Sequence, residues 1–188
     1  MSAWRHGRWM RAGIAAVVLL LAGSLIWWFF PQRIDRTLQG YEFTAGQPER
    51  PGRSLTLKLE GTLQRTLAGF WKGAGKFEGK LVIVGESYSG VPEDATPFFY
   101  MSRGGGRLGL NWVEINPEGQ TVPGIHLIGE VMAEYDWSKL AIIRLHEKKG
   151  WNSNEGVTIA APARNREEAL ELANRVMSER LGEGPPLK

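Results

Sequence analysis

Cysteine is absent from the 188-residue chain, which excludes disulfide frameworks, thiol catalysis and cysteine-ligated zinc or iron–sulfur centres. Histidine is scarce: His6, His126 and His146 are all there are. Charge of one sign is lacking too, once position is considered. The formal total is +3, yet residues 1–30 hold Arg5, Arg8 and Arg11 and no acid, so the other 158 residues carry 20 basic and 20 acidic side chains. A balanced domain of this kind gives no reason to expect a nucleic-acid partner.

A long stretch without charge is present instead. Ala12 to Phe30 runs 19 residues with no ionisable side chain and ends at Pro31. As a helix it would reach about 28 Å, close to a bilayer's hydrocarbon thickness of about 30 Å. Trp4 and Trp9 precede the run and Trp27 and Trp28 close it, where interfacial aromatic belts are expected. Arg5, Arg8 and Arg11 lie on the N-terminal side, and Arg33 and Arg36 follow the run with Asp35 between them. The positive-inside bias predicts a cytoplasmic N-terminus and an extracytoplasmic C-terminal domain. The rival is a cleaved signal peptide, with Ala22 and Ser24 at the small positions before Leu25 and a secreted product. Cleavage there would leave an apolar terminus and divide the run, so a single-pass signal anchor with the lipid bilayer as partner is the preferred expectation.

Beyond Pro31 the apolar positions alternate, the mark of half-buried strands. Leu55, Leu57, Leu59 and Leu63 share one face, as do Phe77, Leu81 and Ile83, and again Leu108, Leu110 and Trp112. Turn chemistry at Gly104–Gly106, Asn116–Gly119 and Asp136–Lys139 separates such segments. About eight short strands predict an antiparallel meander sheet or partial barrel. One amphipathic helix, 165–181, follows: Asn165 can cap it, Glu168 completes a capping box, and Ala169, Leu170, Ala173, Val176, Met177 and Leu181 form a stripe to pack on the sheet. The fold class expected is thus an N-terminal transmembrane helix plus a mainly β (α+β) domain. Its divisions are a basic arm at 1–11, a span at 12–30, a linker at 31–36, the β-rich domain at 37–182 and a tail at 183–188.

Motifs for chemistry fail one by one. Gly104, Gly106 and Gly109 spell GxGxxG, but a strand pattern follows where a dinucleotide site needs a helix. Gly85 to Gly90 misses the nucleophile-elbow spacing by one residue. His146 and Glu147 begin a zinc-protease motif that lacks its second histidine. Ser87, His126 and Asp136 are a formal triad without supporting spacing. His126 between Ile125 and Leu127 reads as an outward residue with apolar neighbours turned in. Glu130, Glu134 and Asp136 read as a solvated outer face, with Val131, Ala133 and Tyr135 inward. No catalytic residue, metal or cofactor is therefore expected.

Three loops are long enough to carry function: 45–53, 86–97 and 147–156. Trp151 with Asn152 and Asn154, and Tyr88 in the second loop, are the candidate binding residues, since an aromatic face beside donors and acceptors can hold a ligand. The segment from Trp151 to Met177, a Trp–Asn–Ser loop, a strand ending in Ala–Pro and an Arg–Glu–Glu–Ala–Leu helix, resembles small single-pass membrane proteins of Gram-positive bacteria. That resemblance implies location and architecture and transfers no activity. The expectation is a non-enzymatic envelope binding or interaction module, with a barrel-like carrier of a lipid, peptide or small molecule as the alternative and a hydrolase third.

Overall fold

A computed structural model of the full chain describes residues 3–64, 76–102, 105–145, 150–182 and 186–188. A helix, α1 (Ala3–Phe29), is followed by eight strands: β1 (Gln32–Thr44), β2 (Arg53–Gln64), β3 (Lys76–Ile83), β4 (Thr96–Ser102), β5 (Gly105–Ile115), β6 (Thr121–Ala133), β7 (Leu140–Arg144) and β8 (Val157–Ala161). Two short helices close the chain, α2 (Arg166–Val176) and α3 (Ser178–Leu181).

All eight strands form one antiparallel sheet in the order β3-β2-β1-β8-β7-β6-β5-β4. Consecutive strands pair throughout except β3 and β4, which form the two edges, and β8 returns to pair with β1. The sheet curls until its edges β3 and β4 lie side by side without pairing, with the Phe77 and Phe99 rings 5.8 Å apart across the seam. The result is a nearly closed eight-stranded barrel.

The alternation of apolar residues decides which face lines that barrel. Leu57, Leu59, Leu63, Phe77, Leu81, Ile83 and Leu108 are buried inside, as their period predicts, together with Ile34, Leu140, Ile142 and Ile159. At the end where β1 begins, the turn between β6 and β7 drops Trp137 into the lumen. Its ring lies 4.8 Å from Phe77 and 5.2 Å from Phe99. Trp137 adopts φ 58°, a conformation costly for a bulky side chain, and is held there by burial at 1 % exposure. Gly106 stands where any Cβ would strike the Phe99 ring, so the absence of a side chain lets that ring turn inward.

The outer face of β1, β8, β7 and β6 is covered by the C-terminal segment. Phe43, Ala141, Ile143 and Ala160 pack there against Ala169, Leu172, Ala173 and Met177. Asn165 caps α2 by accepting from the Glu168 N–H at 2.9 Å, and Glu168 Oε2 accepts from the Arg164 N–H, a variant of the expected capping box. The predicted single helix over 165–181 breaks at Met177 into α2 and α3, and Leu172 is buried while Leu170 and Val176 are only half-buried. Of the tail expected at 183–188, the described end is fastened. Leu187 is buried, and the Asn174 side chain donates to its carbonyl and accepts from its N–H.

Three further expectations change. Residues 32–36 are the first turns of the β1 pairing with β2, not a linker, because Gln32 already faces Leu63. Residues from Ala3 onward join the helix that the uncharged run was expected to begin at 12. His126 is half-buried while Ile125 is 66 % exposed, the reverse of the expected facing. A register shift between Leu108 and Gly109, opposite Ile128, switches the facing of β6 at that point. Within α1, Ile14, Val17, Val18, Leu19, Leu20 and Leu21 are exposed. Among the described residues no helix is long and apolar enough to cross a membrane. The expected span of 12–30 therefore rests on sequence.

Candidate binding site at the barrel mouth

The end of the barrel opposite Trp137 gathers the loops 45–52, 84–95 and 116–120 and the described residues 145 and 150–156. Strand parity carries charge to the inward face here. On β1, Ile34 and Leu38 point into the lumen, and Glu42 follows in the same phase. On β7, Leu140 and Ile142 point inward and Arg144 follows. Arg53 opens β2 in phase with Leu55, Leu57 and Leu59. Glu86 enters from the loop 84–95.

These four residues form one ion-pair network. Arg53 Nε donates to Glu42 Oε1 at 2.7 Å, and Arg144 Nε lies 2.6 Å from Glu42 Oε2. Both guanidinium groups also donate to Glu86 Oε1 through their Nη2 atoms. Two positive and two negative groups balance. Only Arg53 is substantially exposed, with 58 % of its side chain accessible against 15 % for Glu42 and Arg144 and 10 % for Glu86. Burial alone would push the Glu86 carboxyl up. The hydrogen bonds from Arg144 and Tyr88 and the charges of Arg144 and Arg53 outweigh it and hold the group below its ordinary range. Arg144 is held above its ordinary value because its acid partners outweigh its burial.

Tyr88 extends the network. Its hydroxyl donates to Glu86 Oε2 at 2.7 Å, and its ring sits 5.0 Å from His126. Burial first, then the bond to Glu86, raises the phenol above its ordinary value and keeps it protonated. Beneath this loop a cavity of about 360 Å³ opens between the end of β3 and strands β4 to β6. Leu81, Ile83, Leu110 and Ile128 form its wall and Val91, Pro92, Ala95 and Pro97 its cover, while Glu86, Ser87, Tyr88 and Glu93 supply polar groups.

Of the residues singled out from sequence, Tyr88 lies at this cavity. Trp151, Asn152 and Asn154 lie in another loop and serve its local structure. Trp151 Nε1 donates to Thr158 Oγ1 at 3.2 Å, and its ring packs beside the helix-covered core. Asn152 Oδ1 accepts from the N–H groups of Asn154 and Glu155, both at 2.9 Å. That loop meets loop 45–52: Ala45 N–H donates to the Gly156 carbonyl at 2.9 Å, and a Cβ on Gly46 would stand 2.5 Å from the Asn154 oxygen. Trp27 and Trp28 are exposed on α1, and the side chains of Trp4, Arg5, Arg8, Trp9 and Arg11 lie outside those described.

The other chemistry considered is not assembled. Asp136 belongs to the Trp137 end, where the Ser138 N–H and hydroxyl both donate to it, so it is remote from Ser87. Glu134 bonds to Lys139 Nζ across the same turn. Among the described residues no group of histidines and acids could hold a metal, and His146 lies outside them. Sequence reading missed Glu86, which enters from a loop, and also Glu42, Arg53 and Arg144 on the strands. The signal that finds the last three is a charged residue continuing the inward phase of an otherwise apolar strand face. No protein-family model, no curated protein and no solved structure matches this chain.

Proposed function

We propose that the protein is a non-enzymatic binding module, tethered to a membrane through α1, whose barrel receives a small apolar group in the cavity beneath loop 84–95. The observation that carries the reading is the 360 Å³ cavity itself, walled by aliphatic side chains and edged by a few polar ones. Such volume and lining are usual for small-molecule sites. The rest of the lumen is filled by Leu57, Leu59, Leu81, Ile142, Ile159 and Trp137, so the ligand is a small one at the side of the barrel.

The tether rests on the uncharged run at 12–30, on its flanking tryptophans and arginines, and on the exposed aliphatic surface of α1. With β1 starting directly after this helix, the Trp137 end of the barrel is the one nearer the bilayer and the mouth faces away. The resemblance to single-pass proteins of Gram-positive bacteria agrees with an extracytoplasmic location and adds no activity. Native mass spectrometry of the full chain released from nanodiscs tests the binding reading. A non-lipid adduct present on the wild type and lost on Ala95→Trp supports it; the same adducts on both contradict it.

A further inference from the structure

The lid and the site it covers have complementary chemistry. Arg53 and Arg144 belong to strands β2 and β7 and are tied to the wall by Glu42. Glu86 belongs to the loop and reaches both arginines with one carboxylate oxygen. The same residue lines the cavity, so the polar network and the apolar space are one continuous site. Removing the Glu86 side chain from between the arginines would leave two cations against the single charge of Glu42. That is an anion site beside an aliphatic pocket.

From this we infer that the barrel binds an unbranched amphipathic carboxylate. Its apolar chain fills the cavity between Ile83 and Ile128, and its head group replaces Glu86 on Arg53 and Arg144 while Tyr88 donates to it. Glu86 is thus an internal stand-in for the ligand and the latch of loop 84–95. The inference rests on the cavity reading above and names its ligand class. The exchange conserves charge, because one carboxylate takes the place of another and Glu86 moves toward solvent at the mouth. Bidentate or paired arginine–carboxylate contacts are strong and directional, which suits them to both occupants. Size is consistent with a medium chain: at about 30 Å³ for each water-sized group, 360 Å³ holds roughly a dozen.

The test uses the full chain in nanodiscs of zwitterionic lipid. The probes are a medium-chain fatty acid bearing a diazirine near its terminal methyl and the corresponding fatty alcohol, with labelled peptides mapped by mass spectrometry. The expected result is labelling of the Leu81–Pro97 or Leu110–Ile128 peptides by the acid and weak labelling by the alcohol. Glu86→Gln, which removes the competing charge, is expected to raise acid labelling on the order of tenfold, about 1.4 kcal/mol, and alcohol labelling much less, since only the acid gains the arginine contacts. Equal labelling by acid and alcohol would overturn the head-group exchange and leave the apolar cavity standing. No labelling by either would overturn the inference, and the adduct lost on Ala95→Trp would then decide the cavity reading separately. Reduced acid labelling in Glu86→Gln would also overturn it.

Discussion

Glu86 accepts a hydrogen bond from Arg144 across 58 residues of sequence, joining the lid loop to the inward face of β7. Arg144 is partnered by acids on two sides, so Arg144→Gln leaves Glu42 and Glu86 sharing the exposed Arg53 as their cation in this network, with the Tyr88 hydroxyl still on Glu86. Breaking a mostly buried pair from one side costs about 3 kcal/mol. A drop of that order in chemical-denaturation stability, against a smaller change for Arg53→Gln, is the expected outcome.

The same pair sets an acid response. Glu86 titrates below its ordinary value of 4.5 in the folded chain, despite the opposing effect of its burial. Its contribution is therefore fully present above the unfolded value and lost as pH falls through the depressed folded one. Stability of the wild type should decline as pH falls below about 4.5, and Glu86→Gln should flatten that decline. Parallel profiles for the two proteins would show that Glu86 is not the titrating group.

Trp137 makes a prediction of unusual sign. Its side chain plugs the lumen against Phe77 and Phe99, while its φ of 58° favours glycine. Trp137→Ala should cost about 3–5 kcal/mol in lost packing. Trp137→Gly loses the same ring but relieves backbone strain of about 1 kcal/mol. Glycine should therefore be no worse than alanine here, and thermal unfolding of the two variants compares them directly.

Gly46 and Trp151 should prove structural. Gly46 has φ 68° and no room for a Cβ beside Asn154, so Gly46→Ala is expected to cost about 2 kcal/mol. Trp151→Phe removes the bond to Thr158 and should lower stability by about 1 kcal/mol without altering ligand labelling at the mouth. Loss of labelling in Trp151→Phe would move the site toward residues 150–156.

Much of the barrel was legible because period-two alternation is local: each of Leu57, Leu59, Phe77, Leu81 and Leu108 announces its facing through its neighbours. The facing of His126 was not, because the shift opposite Ile128 depends on how β5 pairs with β6. From sequence, Trp137 lies in the Asp136–Lys139 turn and its plug is not visible, since the plug requires Phe77 and Phe99 from distant strands. The ion network was hidden for the same reason. Glu42, Arg53, Glu86 and Arg144 are ordinary surface residues until strand phase and barrel closure bring them to one mouth.

Topology is open to test with intact cells or right-side-out vesicles. Glu49 lies exposed in loop 45–52, at the mouth, and is followed by Arg50. A glutamate-specific protease added outside should cleave after it if the domain is extracytoplasmic, with the fragment seen on immunoblots. Protection of the domain until the membrane is breached would contradict that orientation.

The central claim, an accessible apolar cavity under loop 84–95, is met most directly by methyl NMR of the full chain in detergent micelles titrated with indole. Saturable shifts of the Leu81, Ile83 and Ile128 methyls in the wild type, absent in Ala95→Trp, are the predicted result. Unmoved methyls at these three residues, or identical shifts in the two proteins, would contradict it.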